Sequence, residues 1–236
     1  MYFSPVERAL GDIVKKVEKS ERLTKEDGIR LMESNDLLSI GYMANILRER
    51  VNGDNTYFMM NGQIECDKIV SDNTEMKEQL VLEIHIDGTL KTVNMLYGRG
   101  ETTEERIDYL LKLRDLQDKD MGFKAFVPQA YPGFTEWEKD INNLPTGFED
   151  LKVLAVSRLL LDNFPHINAF LSLLGLKMTQ VSLAFGVDAI DCNLVQETGS
   201  RTGQAFTEQE IVNMIQKAGR IPIQRDALYN IVREDY

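Results

Sequence analysis

From about residue 90 the hydrophobic pattern of this chain alternates between a period of two and a period near 3.6, and that alternation constrains its fold more than any other feature. Thr89 to Met95 reads as a strand. Thr102-Thr103-Glu104-Glu105 then opens a helix, with Ile107, Leu110, Leu111 and Leu113 on one stripe. A strand follows at Phe123–Pro128, a loop from Gln129 to Pro145, and a helix over Gly147–Asn163 capped by Thr146. Strand His166–Leu171, helix Lys177–Phe185 and a short strand near Asp188–Cys192 continue the series. Strand, helix, strand in regular succession is the mark of βα units on a parallel sheet. Gly199–Gly203 reads as loop, Thr207–Ala218 as a helix, and Arg225–Val232 as a last turn or helix.

The stretch from Met1 to Asn55 follows a different pattern. Val6, Leu10, Ile13, Val14 and Val17 place a helix over residues 5–20. Thr24 with Asp27 three positions later forms a capping signature ahead of a second helix. A third helix runs from Leu37 to Arg50 and ends at Asn52-Gly53-Asp54-Asn55, which has turn chemistry. Thr56 to Met60 then reads as a strand, Asn61-Gly62 as a tight turn, and Gln63 to Cys66 as a short return strand. Residues 79–96 fit a hairpin, with a helix followed by a strand as the alternative. The expected organisation is one compact unit: a helical cap over 1–55, a partial β/α barrel over 56–195, and a helical extension over 196–236.

Composition narrows the partners. The formal net charge of −11 repels phosphate backbones, so nucleic acid is not expected. No apolar run approaches the roughly 20 residues of a membrane helix, and the N-terminus lacks the basic and apolar regions of a secretory signal. Two distant cysteines, Cys66 and Cys192, fit a reducing cytoplasm and read as inert, partly buried thiols. They cannot by themselves hold a cysteine-ligated zinc or iron–sulfur site.

Candidate chemistry gathers at predicted strand ends. Tyr97, Arg99, Glu101 and Thr102 follow the strand that ends near residue 97, where barrel enzymes place their active sites. Arg99 could clamp a carboxylate, whereas Glu101 and Thr102 could equally cap the next helix. Asp188, Asp191 and Glu197, with Glu101, read as a solvated acidic loop, with cation binding as the sharper alternative. His85 and His166 are too far apart in the pattern for a metal pair, and His166 starts a strand, a supporting position. Phe123, Phe126, Tyr131, Phe134 and Trp137 read as packing, or as a stacking surface for an aromatic ligand. No nucleophile elbow, P-loop or zinc-protease helix occurs, and Gly98-Arg99-Gly100 is too short to indicate a nucleotide site.

Several stretches in a fixed order resemble the radical SAM aminofutalosine synthase family. They are Arg22 to Gly28, Leu37 to Gly41, Ala44-Asn45, Thr56-Tyr57-Phe58, Asn61 to Glu65, Met95 to Thr102, Leu113 to Asp118, Gly122 to Pro128, Pro145 to Asn163, Ala184 to Asp188 and Ala218 to Asn230. The sister cyclic dehypoxanthine futalosine synthases share a similar pattern. The resemblance implies a (β/α)₈ barrel and a [4Fe–4S] cluster held by a CxxxCxxC loop after the first strand. It also implies S-adenosylmethionine on the open iron and a transferase step of menaquinone biosynthesis.

The chain departs from that pattern at the loop. After Glu65 it reads Cys66-Asp67-Lys68-Ile69-Val70-Ser71, and no further cysteine appears until Cys192. The pattern resumes near Leu82–His85, as if strands two to four were missing, and a full barrel needs ~250 residues. Arg99 stands where the family has a histidine. Asp191-Cys192-Asn193 replaces Asp-Gly-Thr, and the loop that follows is shortened to Thr198-Gly199-Ser200-Arg201. Arg225 and Asp226 resemble a family Arg-Asp pair before Tyr229 and read as an ion pair anchoring the tail.

These observations predict a truncated member that binds neither cluster nor S-adenosylmethionine and is inactive as a radical enzyme. Its substrate-contact candidates are Tyr97, Arg99, Glu101, Thr102, Asp188 and Arg225. A half barrel exposes strand edges, which the cap, the 67–94 segment or a second copy could cover. A complementing polypeptide that restores aminofutalosine synthesis is the alternative. A small α/β binding or hydrolytic domain using Glu101 and Asp188 is the third reading.

Overall fold

The computed structural model describes residues 5–60, 82–87, 90–119, 122–131, 145–192 and 206–236. Its elements run α1 (Pro5–Glu18), α2 (Lys25–Glu33), α3 (Leu37–Asn52), β1 (Asn55–Met59), β2 (Leu82–Asp87), β3 (Leu90–Tyr97), α4 (Thr103–Asp118) and β4 (Phe123–Ala130). They continue with α5 (Gly147–Leu160), β5 (His166–Phe170), α6 (Leu171–Ser182), β6 (Ala189–Asp191), α7 (Glu208–Lys217), β7 (Ile221–Arg225) and β8 (Ile231–Arg233). The return strand expected at Gln63–Cys66 lies outside the described residues.

Local chemistry sets the helix starts. Thr24 with Asp27, Thr102 with Glu105 and Thr207 with Glu210 each close a capping box, and the Thr146 hydroxyl accepts from Glu149 N. Helices α1 to α3 pack together, with α3 against α5 and α2 against α4 and α5. Gly28 allows the close approach: a Cβ there would lie 3.1 Å from Ile107 and Leu160 side-chain carbons.

The strands form one sheet in the order β2-β3-β4-β5-β6-β1-β7-β8. All ladders from β3 through β7 are parallel, and the edge pairs β2–β3 and β7–β8 are antiparallel. Residues 82–97 are therefore the hairpin. The architecture is a mixed α/β partial barrel, open among the described residues, with helices packed on the sheet face that carries Phe58, Ile167 and Ile190.

The C-terminus differs from the expected helical reading. Helix α7 is present, but Arg225–Val232 is not a helix. It is the end of β7, a turn and the start of β8. The turn is closed by the Asp226 carboxylate, whose Oδ1 accepts from Leu228 N and Asn230 N at 2.8 Å each. β7 pairs with β1 from Asn55↔Ile221 to Phe58↔Gln224, so the C-terminal segment completes the sheet as well as extending it. One open edge is thus covered by the 82–87 strand and the other by the C-terminal hairpin.

At the lower end of the sheet, where the parallel strands begin, a buried ion pair ties the layers together. The Arg158 guanidinium on α5 pairs with Asp188 and donates to Gly186 O (3.0 Å) and Phe164 O (3.1 Å). Asp188 also accepts from Ile167 N (2.9 Å) and Asn52 Nδ2 (3.0 Å), and it meets His166 Nδ1 at 2.5 Å. Burial by itself would raise the Asp188 carboxyl, but Arg158, His166 and the Ile167 N–H outweigh it and hold it below the usual carboxylate range. Gly186 turns at φ +89 to deliver Asp188. A Cβ there would lie 2.7 Å from Arg158 Cβ.

Substitutions at this junction should separate backbone strain from buried charge. Gly186→Ala should lower stability by about 3 kcal/mol or more, combining strain with overlap. Gly219→Ala, at φ +73 with nothing within 4 Å, should cost only about 1–2 kcal/mol. Urea denaturation midpoints would compare them. Asp188→Asn strands a buried guanidinium and should cost about 3–5 kcal/mol, of which added Arg158→Met recovers part. Because the folded-state carboxyl is depressed, its stabilisation is complete above the unfolded value and disappears as pH falls below about 4. Thermal melts of wild type should therefore lose stability through that window, and those of Asp188→Asn should lose less, since Glu101, Asp118 and the other depressed carboxyls still titrate there.

Candidate functional site

Residues opposite one another on parallel strands share a face, and the register fixes which ones do here. Tyr57 and Met59 of β1, His166 and Asn168 of β5, Asp191 of β6 and Arg225 of β7 lie on the sheet face opposite Phe58 and Ile167. They form one polar network. Arg225 Nη2 donates to Asp191 Oδ1 at 2.5 Å, and Asn168 Nδ2 donates to Asp191 Oδ2 at 2.7 Å. Arg225 Nη1 donates to Asp226 O at 3.1 Å and lies 3.7 Å from Met59 Sδ. Burial opposes the charge on Arg225, but the Asp191 carboxylate outweighs it and holds the guanidinium protonated.

Two sequence expectations are corrected by this geometry. Arg225 takes its ion pair with Asp191 on β6, while Asp226 uses its carboxylate on the turn. Asp188 and Asp191 are not a solvated acidic loop. Both are buried and each faces an arginine, at opposite ends of β6. Glu197 lies outside the described residues. Among the described residues no group of three or more histidine, cysteine or acidic side chains could hold a metal ion.

The four residues after β3 have separate roles. The Tyr97 hydroxyl donates to Asp150 Oδ1 at 2.5 Å in a buried setting, and burial with that carboxylate pushes its pKa well up. Glu101 is folded inward, accepting from Gly98 N (2.7 Å), Arg99 N (2.8 Å) and Arg106 Nη2 (2.5 Å). Burial opposes its charge, and these donors outweigh that and hold the carboxyl low. Thr102 caps α4. Arg99 is exposed, with its guanidinium 4.7 Å from the Tyr131 ring centre. The nearby cleft beneath Pro128, Ala130 and Phe170 has a volume of about 10 Å³, space for about one water.

Sequence reading misses Asn168, Tyr57 and Arg158 because each acts through a partner far along the chain, and Arg106 because it joins the nearby Glu101 to the distant Glu149. The alternation of His166 with Asn168 is the one local sign of a polar face. His166 sits at the start of β5, bound to Asp188. Phe134, Trp137 and the side chain of His85 lie outside the described residues. Cys192 is partly buried beside β6, and desolvation pushes its thiol well above the usual range, which disfavours the thiolate a metal ligand needs. With Cys66 the whole chain has two cysteines. The residues present therefore do not fit a three-thiolate cluster loop.

Known proteins match this arrangement in sequence and in fold. The CofH/MqnC C-terminal region matches residues 120–235. The aminodeoxyfutalosine synthase of Thermus thermophilus is 43% identical over 164 residues, covering 64% of this chain and 44% of that protein. The cyclic dehypoxanthine futalosine synthase of Streptomyces coelicolor is 36% identical over 163 residues, covering 66% and 40%. A 5-amino-6-(D-ribitylamino)uracil–L-tyrosine 4-hydroxyphenyl transferase of Methanosarcina mazei is 34% identical over 229 residues, covering 92% and 56%. The chain thus spans about half the length of the curated relatives it matches. In fold it is similar to the [FeFe]-hydrogenase maturase HydG from Carboxydothermus hydrogenoformans, with a TM-score of 0.63 at 12% identity, over 95% of this chain and 81% of that one. The chain belongs to the aminofutalosine synthase family of radical SAM proteins, carrying its CofH/MqnC C-terminal region and lacking its CxxxCxxC motif.

Proposed function

We propose that this chain is an internally shortened family member of the cytoplasm that does not carry out radical SAM chemistry by itself. The observation that carries the reading is the cysteine count. The family's chemistry takes a [4Fe–4S] cluster with S-adenosylmethionine on it, and a cluster with one open iron takes three thiolates. Two cysteines, one of them a partly buried thiol, fall short. The position of β7 supports the same reading. It fills the second side of β1, where a barrel of full length would continue with its next strand. Among the described residues no helix is long and apolar enough to cross a membrane.

A second reading is favoured by the sheet's edges. Ile231 and Val232 on the edge strand β8 are 57% and 60% exposed. Such an edge suits a second copy or a complementing polypeptide that brings the cluster-binding segment. The assembly would then act in aminofutalosine synthesis for menaquinone, with Arg99 as an exposed substrate contact at the top of β3. A carboxylate-based binding or hydrolytic domain has little support, because Glu101 and Asp188 are both committed to internal partners.

Anaerobic reconstitution with iron and sulfide separates these readings. The purified chain should stay colourless, bind less than one iron per chain and fail to cleave S-adenosylmethionine. A brown protein with a cluster absorption band and release of 5′-deoxyadenosine would refute the first reading. Cleavage that appears only on adding a polypeptide with the three-cysteine loop would establish the second.

A further inference from the structure

Tyr229 is a bulky residue at φ +62, a left-handed conformation that such side chains rarely adopt. It lies in the turn between β7 and β8, flanked by exposed Leu228 and Asn230. Its ring nevertheless points back onto the polar face of the sheet. The Arg225 guanidinium carbon is 3.8 Å from the ring centre, and the His166 ring is stacked on it with centres 4.9 Å apart and planes 19° from parallel. The far end of the ring meets a single amide. Asn168 Nδ2 donates to the Tyr229 hydroxyl at 3.1 Å, and that hydroxyl lies 3.4 Å from Asn168 Oδ1.

The walls of this slot are held without Tyr229. Asn168 on β5 and Arg225 on β7 are both tied to Asp191 on β6, and all three residues are almost wholly buried. His166 is fixed by Asp188 from below and touches the Tyr57 ring edge-on. The buried Arg225 Nε has no hydrogen-bond partner, so the guanidinium keeps a polar group in the slot that the network does not use. By contrast, the tyrosine is carried on a short turn. It sits there as a ligand tethered to the chain.

We propose that the polar face of the sheet contains a built aryl slot, formed by Arg225, His166 and Asn168, which takes a small neutral phenol and is filled by the chain's own Tyr229. The preference for a phenol follows from charge. Asp191 neutralises Arg225 and lies against the amide that meets the hydroxyl, so an anionic group at that end would face a carboxylate. A phenolic hydroxyl both donates and accepts, which matches the two ends of one amide. Burial also keeps the Tyr229 phenol in its protonated form.

The test is to replace the tethered ring with a free one. Tyr229→Gly removes the side chain and suits the left-handed backbone. Its melting temperature should rise saturably with 4-methylphenol, by about 3–6 °C when the ligand is at ten times its dissociation constant. Wild type and Tyr229→Phe, whose slots are full, should not shift. Neither should Tyr229→Gly with 4-methylbenzoate. No saturable shift in a folded Tyr229→Gly would overturn the slot, and an equal shift with 4-methylbenzoate would overturn the preference for a neutral ring. If Tyr229→Gly does not fold alone, refolding by 4-methylphenol and not by 4-methylbenzoate is the same readout, repeated on Tyr229→Ala, and its absence in both variants overturns the proposal.

Discussion

The Arg158–Asp188 pair is the contact on which the lower half of the molecule depends. Arg158 comes from the last turn of α5, on a helix whose side chains from Leu151 on are mostly buried, and Asp188 from the residue before β6. Placing both charges away from water is costly unless every lone pair and proton finds a partner. Here the carboxylate is met by the guanidinium, a backbone N–H, an amide and an imidazole, and the guanidinium reaches two carbonyls besides. Those partners lie on α3, α5 and the starts of β5 and β6. The pair therefore fixes where the parallel strands begin relative to the N-terminal helices, and everything at the upper end of the sheet inherits that register.

The parts of this fold that are legible in the sequence are those set by neighbours. Capping threonines with an acid three positions on mark helix starts, because the box is made within one turn. The strand and helix alternation marks βα units, because each element's period is local. Parts set by distant partners are not legible. Ile221 to Arg225 is short, contains a proline and follows a helix, and nothing near it indicates that its partner is β1, the first strand of the chain. Asp188 reads as a solvated acid because Asp191 stands close by in the sequence, while the arginine that pairs with it in the interior comes from α5, with a whole strand and helix between them.

The same distinction explains the candidate site. Tyr97, Arg99, Glu101 and Thr102 stand out by their place after a strand, and the structure puts them there. It also shows that Glu101 and Thr102 use their oxygens on the backbone of their own loop and helix, and that the Tyr97 hydroxyl is bound to Asp150. The more elaborate arrangement, from Asn168 through Asp191 to Arg225, joins three strands that come together only once the sheet has formed. Of its members only Asp191 and Arg225 attract notice in the sequence, and each for a different partner.

The place of β7 beside β1 has a kinetic side. β1 has no open edge, since β6 lies on one side and four register pairs with β7 on the other. Any chain bringing a strand to β1 meets a site already taken and must displace the C-terminal hairpin residue by residue, as in strand exchange. The hairpin ends in a short, exposed strand, which is where such an exchange would begin. Association at β1 would then be slow, its rate set by how readily the chain's own tail gives way to the incoming strand.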